Sequence, residues 1–130
     1  MPPLYDFILI DDSTFDLFIY EKLIVKSGMA NSIKAFSSAR LALEHIIKEQ
    51  LNIPESIILL DLQLPGMNGF EFIDQFHMLS DELKNRFKIF MLSSTIDNND
   101  IEKARVSPYI IDLLSKPLEI PLLQAKLLSL

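Results

Sequence analysis

Three acidic side chains and one lysine follow short apolar segments of this sequence. Asp11 and Asp12 come directly after the run FILI, and Asp61 comes directly after the run IILL. Lys116 follows a third segment, YIIDLLS, and precedes a proline. Carboxylates that lie close together repel one another and resist ionisation unless a cation is present. If the fold brings these side chains together, the site favours an oxygen-coordinated divalent ion such as Mg²⁺.

A metal-bound carboxylate beside a hydroxyl and an ammonium is typical of a site for phosphoryl transfer. The carboxylate is the nucleophile, and the other groups offset charge on the oxygens of the transferred group. Asp61 is the candidate nucleophile, Lys116 the amine, and Ser93 or Ser94 the hydroxyl. Taken singly, these residues have plainer interpretations as a loop-amide acceptor, a surface lysine or, for Asp12 and the serines, helix caps. Their shared position after several strands favours the phosphoryl site.

Five apolar segments predict strands, at 7–10, 32–36, 57–60, 87–92 and 109–114. Helical segments follow them in alternation, which predicts a parallel sheet with helices on both faces. The carboxyl ends of parallel strands share one edge of the sheet, and ligands bind there. The polar residues that follow the strands are therefore expected to meet.

Apolar residues at helical spacing predict the helices. The first begins after Ser13 or Thr14 and ends at Gly28. The stripes predicted to be buried in the first, second and third helices are Phe15, Phe18, Ile19 and Leu23; Ala39, Ala42, Leu43, Ile46 and Ile47; and Phe72, Ile73, Phe76 and Leu79. Residues 97–106 offer few apolar positions, so we expect this helix to be the most weakly anchored element. A leucine-rich helix ends the chain.

Composition narrows the function classes. The 130 residues, 49% of them hydrophobic, fit one domain with a sizeable core, so residues 1–130 are expected to form a single domain without an output domain. A net charge of −6 and the lack of a basic run argue against direct nucleic-acid binding. The absence of Cys excludes a disulfide framework and suits a reducing compartment. Neither a signal-peptide pattern nor a membrane-length apolar run is present, so a cytoplasmic location without membrane insertion is expected.

These features resemble the receiver domain of two-component response regulators over essentially the whole chain. The resemblance rests on the acidic pair in IDDS, on LDLQLPGMNG at residues 60–69, on the hydroxyl after ML, and on SKP at residues 115–117. It implies an α/β fold of the flavodoxin-like (CheY-like) kind. This fold is a three-layer sandwich whose five-stranded parallel sheet, in the order 2-1-3-4-5, is flanked by five helices.

The resemblance also implies a chemistry and a cofactor. Asp61 would accept a phosphoryl group from a phosphohistidine on a sensor histidine kinase or a histidine phosphotransfer protein. Asp12, Asp61 and the main-chain carbonyl of Gln63 would ligate Mg²⁺, and Asp11 would assist. The protein would be a phosphoprotein with an aspartyl phosphate.

Further roles follow from the same resemblance. Lys116 would pair with the phosphoryl oxygens, and its bond to Pro117 resembles the cis peptide of the family. Ser93 is preferred to Ser94 as the switch hydroxyl because it directly follows the apolar run. Phosphorylation would shift the loop after it and the weakly packed helix. The family usually has an aromatic residue where this sequence has Leu113, which carries no ring to swing between rotamers.

The predicted function is that of a stand-alone receiver that signals to a downstream protein target through a conformational change. It would catalyse only its own phosphorylation and dephosphorylation, so it is not expected to be an enzyme otherwise. The last helix or the face of the Asp97 helix is a candidate homodimer surface. The alternative is a receiver-like protein-interaction module that acts without phosphorylation. A metal-dependent phosphohydrolase is disfavoured because those enzymes use a second acid at the position of Gln63.

Overall fold

A five-stranded parallel sheet forms the centre of the computed structural model, which describes residues 3–130. The strands are β1 (Tyr5–Ile10), β2 (Ala30–Phe36), β3 (Ser56–Asp61), β4 (Phe87–Ser93) and β5 (Ile110–Ser115). Their order is β2-β1-β3-β4-β5, and all four neighbouring pairs are parallel. The predicted sheet and strand order are confirmed.

Helices cover both faces of the sheet and complete the predicted three-layer sandwich. They are α1 (Thr14–Ser27), α2 (Ala39–Lys48), α3 (Gly69–His77), α4 (Asp81–Lys84), α5 (Asn98–Val106) and α6 (Ile120–Leu128). Buried residues of α1 and α6 form one core cluster with the sheet, and buried residues of α2 to α5 form the other. No helix within residues 3–130 is long and apolar enough to cross a membrane.

Residues 3–130 contain six helices, one more than the five that the resemblance predicts. The additional element, α4, is a single turn of four residues that lies between α3 and β4. The Ser80 hydroxyl caps it by accepting a hydrogen bond from the Leu83 N–H at 3.3 Å, and Leu83 is its buried residue. Four residues are too few to show an apolar periodicity. The sequence therefore carried no stripe from which this turn could be predicted.

β3 is buried on both faces, as its uninterrupted apolar run predicts. Ile58 and Leu60 pack in the cluster that includes α2 and α3, whereas Ile57 and Leu59 pack in the cluster that includes α1 and α6. Burial of each such side chain contributes about 1.5–3 kcal/mol relative to exposure. Asp61 therefore ends a strand that packing fixes from both sides.

The boundaries predicted for α1 are correct, but the predicted buried stripe is wrong at Phe15 and Phe18, while its other members, Ile19 and Leu23, are partly buried. Phe15 and Phe18 are 70% and 55% exposed, whereas Tyr20 and Ile24 are buried and Leu17 is partly buried. The segment TFDLFIYEKLIV carries apolar residues around most of the helix, so two stripes were available. Packing into the core cluster that the sheet forms with α6 selects the stripe that contains Tyr20 and Ile24.

The other helices agree more closely with the predicted stripes. In α2 only Ile47 differs from the predicted buried stripe, because its side chain is exposed. In α5 the buried residue is Ala104, while Ile101 and Val106 are exposed, so this helix is anchored even less than expected. In α6 two leucines are buried and others are exposed, so the helix has more apolar positions than its packed face uses.

Candidate functional site

Asp11, Asp12 and Asp61 meet at the carboxyl edge of the sheet. Asp11 follows β1 and Asp61 ends β3, and these strands are neighbours with Ile10 opposite Leu60. One oxygen from each of the three carboxylates lies within 4.8 Å of the others. Asp11 and Asp61 are only 2% and 5% exposed, whereas Asp12 is open to solvent.

The Lys116 amine lies among these carboxylates. Its Nζ donates a hydrogen bond to Asp11 Oδ2 at 2.9 Å and is 3.5 Å from Asp61 Oδ2. Its backbone N–H donates to the Ser93 carbonyl at 2.8 Å, and the Lys116–Pro117 peptide is cis, as the resemblance implied. Burial alone would lower the pKa of this ammonium, but the hydrogen bonds and charges of its carboxylate partners outweigh burial and raise the pKa above its ordinary value.

A close approach between β3 and α3 fixes the backbone that carries Asp61. The Gly69 N–H donates to the Leu62 carbonyl at 2.9 Å. A Cβ at Gly69 would lie 2.9 Å from Leu62 Cα, which is closer than side chains tolerate, and 3.0 Å from the Asp61 carbonyl oxygen, which is tighter than most Cβ contacts. The glycine of the MNG segment is therefore required by the space beside Asp61.

The environment of Asp61 disfavours its charge when no cation is bound. Burial raises the pKa of the Asp61 carboxyl, and the negative charge of Asp11 adds to this effect. The Gln63 N–H, which donates to Asp61 Oδ1 at 3.1 Å, and the Lys116 ammonium act in the opposite direction without cancelling it. A site in this electrostatic state gains from a divalent cation.

The donor set fits Mg²⁺, which prefers oxygen ligands and retains several waters. The three carboxylates supply oxygens that are close enough to share one ion, and Asp12 is open to the solvent from which the ion and its waters would come. Asp12 and Asp61 are the residues that would hold it directly. The Gln63 backbone, whose carbonyl was predicted to contribute, is kept beside Asp61 by the hydrogen bond of its N–H.

Ser93 is buried at the end of β4, which lies next to β3. Its hydroxyl donates to the Thr95 carbonyl at 2.7 Å and accepts from the Thr95 N–H at 3.2 Å, so its hydrogen bonds stay within the β4–α5 loop. Ser94, the alternative hydroxyl, is exposed. Helix capping does not explain Asp12 or the two serines. The residue that caps α1 is Ser13, and the residue that caps α5 is Asp97.

Comparison with known proteins agrees with this geometry. A family profile described as the response regulator receiver domain matches residues 7–128. The chain belongs to this family. A response regulator receiver protein from Dyadobacter fermentans is 50% identical, with 95% of each chain covered and a TM-score of 0.88. A two-component response regulator from Cytophaga hutchinsonii is 28% identical, with 98% of this chain and 96% of that chain covered and a TM-score of 0.89.

A more distant solved structure supports the assignment of the fold, and nothing beyond the fold. A CheY-like receiver domain protein from Methanospirillum hungatei is 21% identical, covers 95% of this chain and 88% of that chain, and has a TM-score of 0.67. Comparison with curated protein sequences gives no match.

Sequence reasoning missed two residues of this receiver domain site. Asp16, in the first turn of α1, accepts a hydrogen bond from Lys116 Nζ at 3.1 Å. Tyr20 follows one turn later, and burial raises the pKa of its phenol to about 12 although the Lys116 charge opposes this rise. An acidic residue in the first turn of a helix is common because its negative charge interacts favourably with the positive N-terminal end of the helix dipole. The local sequence therefore gave no sign that Asp16 contacts a residue so distant in the chain.

Leu113 occupies the position at which the receiver family usually has an aromatic ring. It lies on β5 opposite Met91 of β4, and it is partly buried against the core cluster that includes α3 and α5. The nearest aromatic side chain before it, Tyr109, packs edge-on against Phe76 with ring centroids 5.5 Å apart. Tyr109 therefore belongs to the packing of α3.

Proposed function

We propose that this receiver domain accepts a phosphoryl group on Asp61 in a Mg²⁺-dependent reaction. The observation that carries the proposal is the convergence of Lys116 with three carboxylates, one of them on a buried strand that ends at the carboxyl edge of the sheet. The membership in the response regulator receiver family supports it. We also propose a cytoplasmic location, in keeping with a partner that carries a phosphohistidine.

The proposed step transfers a phosphoryl group from a histidine nitrogen of the partner to a carboxylate oxygen of Asp61. A carboxylate oxygen of Asp61 attacks the phosphorus of a phosphohistidine, a P–O bond forms, and the P–N bond breaks with its electron pair left on the imidazole nitrogen. The Lys116 ammonium lies close enough to offset charge on the phosphoryl oxygens. Mg²⁺, when bound by Asp12 and Asp61 with the Gln63 carbonyl and assistance from Asp11, supplies further positive charge that offsets the carboxylates and the phosphoryl oxygens.

The signal would leave the site through Ser93. Its hydroxyl now bonds to the backbone of Thr95, so a phosphoryl group that draws the hydroxyl toward itself removes two hydrogen bonds from the β4–α5 loop. The next helix, α5, buries little, and its displacement would therefore cost few contacts. Leu113 lacks a ring, so in this chain the loop and α5 would carry the change without an aromatic rotamer.

Receiver domains interact with histidine kinases or phosphotransfer proteins and with downstream targets. We propose that this one takes its phosphoryl group from such a donor and passes the signal to a protein partner. The exposed leucines of α6, Leu122 and Leu128, and the exposed face of α5 are surfaces that such a partner or a second copy could cover. Catalysis in this proposal is confined to the chain's own phosphorylation and dephosphorylation.

The test is incubation with labelled acetyl phosphate and Mg²⁺, followed by peptide mapping. The proposal predicts an acid-stable, base-labile label on the peptide that contains Asp61, and no label after Asp61→Asn or when EDTA removes the metal. Asp74→Asn is the matched control, because Asp74 is an exposed carboxylate on α3. A wild-type protein that takes no label, or a label that persists in Asp61→Asn, would show that the proposed function is wrong.

A further inference from the structure

Asp16 contacts the site but has no part in the proposed phosphorylation step. Its Oδ2 accepts a hydrogen bond from Lys116 Nζ at 3.1 Å, although the two residues are 100 positions apart. Lys116 Nζ is 2.9 Å from Asp11 Oδ2 but 3.5 Å from Asp61 Oδ2. The amine therefore lies nearer to Asp11 and Asp16 than to the carboxylate that is proposed to react.

Two other helices show what an acid at this position does elsewhere in the chain. Asp16, Glu71 and Asp100 are each the third residue of a helix, in α1, α3 and α5. The side chains of Glu71 and Asp100 fold back and accept from the amide of the cap residue, which completes a capping box. The Asp16 side chain turns toward Lys116 instead.

The difference has a local cause. In α1 the amide of the cap residue is already bonded, because the Ser13 N–H donates to Asp11 Oδ1 at 2.9 Å. The Ser13 hydroxyl in turn accepts from the Asp16 N–H at 3.1 Å, so the backbone of Asp16 is fixed while its carboxylate is left for another donor. Asp11 thus takes over half of the capping box of α1 and frees Asp16 for the lysine.

The contact is partly shielded from solvent. The Lys116 side chain is 16% exposed and that of Asp16 is 33% exposed. Tyr20, one turn further along the same face of α1, is buried, so the face that presents Asp16 is packed. Shielding and a fixed helix make this pair stronger than a fully exposed ion pair.

We propose that Asp16 is a positioning residue that holds Lys116 away from Asp61 in the unphosphorylated protein. The phosphoryl group must then compete with Asp16 for the amine. An ammonium has three donors, and Asp11 and Asp16 accept two of them. Loss of the Asp16 carboxylate lets Nζ move toward the phosphoryl oxygens, which shifts the equilibrium toward the phosphorylated arrangement. The inference rests on the proposed phosphorylation of Asp61.

The test measures how tightly the protein binds beryllofluoride, a phosphoryl mimic, at a fixed Mg²⁺ concentration. The readout is the beryllofluoride concentration that gives half of the maximal rise in melting temperature. Asp16→Asn should lower this concentration about threefold, the size expected for loss of one partly exposed ion pair. Asp16→Ala should lower it in the same direction, and Asp16→Glu, which keeps the charge, should remain near the wild-type value.

Glu21→Gln is the matched control, because it removes one exposed charge from α1 without touching Lys116. A second readout is the NMR signal of the Lys116 Cε in the metal-free protein, which should shift in Asp16→Asn and not in Glu21→Gln. If the Asp16 variants match Glu21→Gln, or bind beryllofluoride less tightly than the wild type, Asp16 does not hold the amine back. If the wild type itself does not respond to Mg²⁺ and beryllofluoride, the proposed function fails instead.

Discussion

Asp61 is buried and has negatively charged neighbours, and these two features determine the pKa of its carboxyl group. Burial raises the pKa of its carboxyl, and the charge of Asp11 raises it further, whereas one backbone amide and Lys116 only partly oppose the rise. The folded protein without metal therefore binds the proton of Asp61 more tightly than the unfolded chain does. The ionised form that the proposed phosphorylation needs is the form that the metal-free fold disfavours.

Asp61→Asn should stabilise the metal-free protein near neutral pH. Because the folded-state pKa of Asp61 is raised, its contribution to stability falls as pH rises above about 4, the ordinary pKa of an Asp. The variant lacks this fall, so its free energy of unfolding should exceed that of the wild type most clearly at neutral pH. Urea unfolding in EDTA at a series of pH values measures the difference.

Asp74→Asn is again the control, and it should keep the wild-type pH dependence. Equal or lower stability of Asp61→Asn at neutral pH would mean that Lys116 and the Gln63 amide fully offset the burial of the carboxylate. The electrostatic account of the site would then be wrong.

At the residue scale, sequence alone predicted which charged side chains would meet at this edge of the sheet. Asp11, Asp12, Asp61 and Lys116 were found because each follows a recognisable apolar segment, and parallel strands bring such positions to one edge. Asp16 was missed because its partner depends on which face α1 turns toward the sheet. The stripe that predicted burial of Phe15 and Phe18 gave the wrong face.

At the scale of elements, the junction between β3 and α3 determines where Asp61 lies. Gly69 begins α3 and lies against the backbone of residues 61 and 62. Alanine is ordinarily the better helix residue by up to about 1 kcal/mol. A methyl group here meets main-chain atoms, and overpacking of this kind typically costs about 1–3 kcal/mol. The steric cost therefore exceeds the gain in helix propensity.

Gly69→Ala should lower the free energy of unfolding by about 1–2 kcal/mol and slow phosphorylation by acetyl phosphate, because the strain displaces the backbone beside Asp61. Urea unfolding and the rate of labelling measure the two effects. Gln75→Ala, on the exposed part of α3, is the control and should change neither. A Gly69→Ala protein as stable and as reactive as the control would mean that the junction yields without moving the site.

Secondary structure was predictable wherever a segment had a clear boundary signal. Ser13 and Gly28 delimited α1, and the apolar runs marked β1 and β3, because caps and uninterrupted burial leave local marks in sequence. α4 and the buried face of α1 could not be predicted in the same way. A single turn has no period, and a helix that is apolar on several sides takes its orientation from tertiary packing.

At the scale of the whole molecule, the five-stranded sheet gathers four charged residues from distant parts of the chain into one site. The parallel order brings the ends of β1, β3 and β4 together, and Lys116 reaches them from the end of β5. The fold could be predicted because alternating strands and helices leave few topologies. Which of Asp11, Asp16 and Asp61 the Lys116 amine contacts most closely could not be predicted, because this depends on distances within the assembled site.

A crystal structure with Mg²⁺ and beryllofluoride is the decisive test of phosphorylation at Asp61, because it locates the cation and the phosphoryl mimic together. We expect beryllium on an Asp61 carboxylate oxygen, Mg²⁺ shared by Asp12 and Asp61, and Lys116 Nζ closer to a fluorine than to Asp16. Beryllofluoride bound elsewhere, or a Mg²⁺ ion that contacts neither Asp12 nor Asp61, would contradict this expectation.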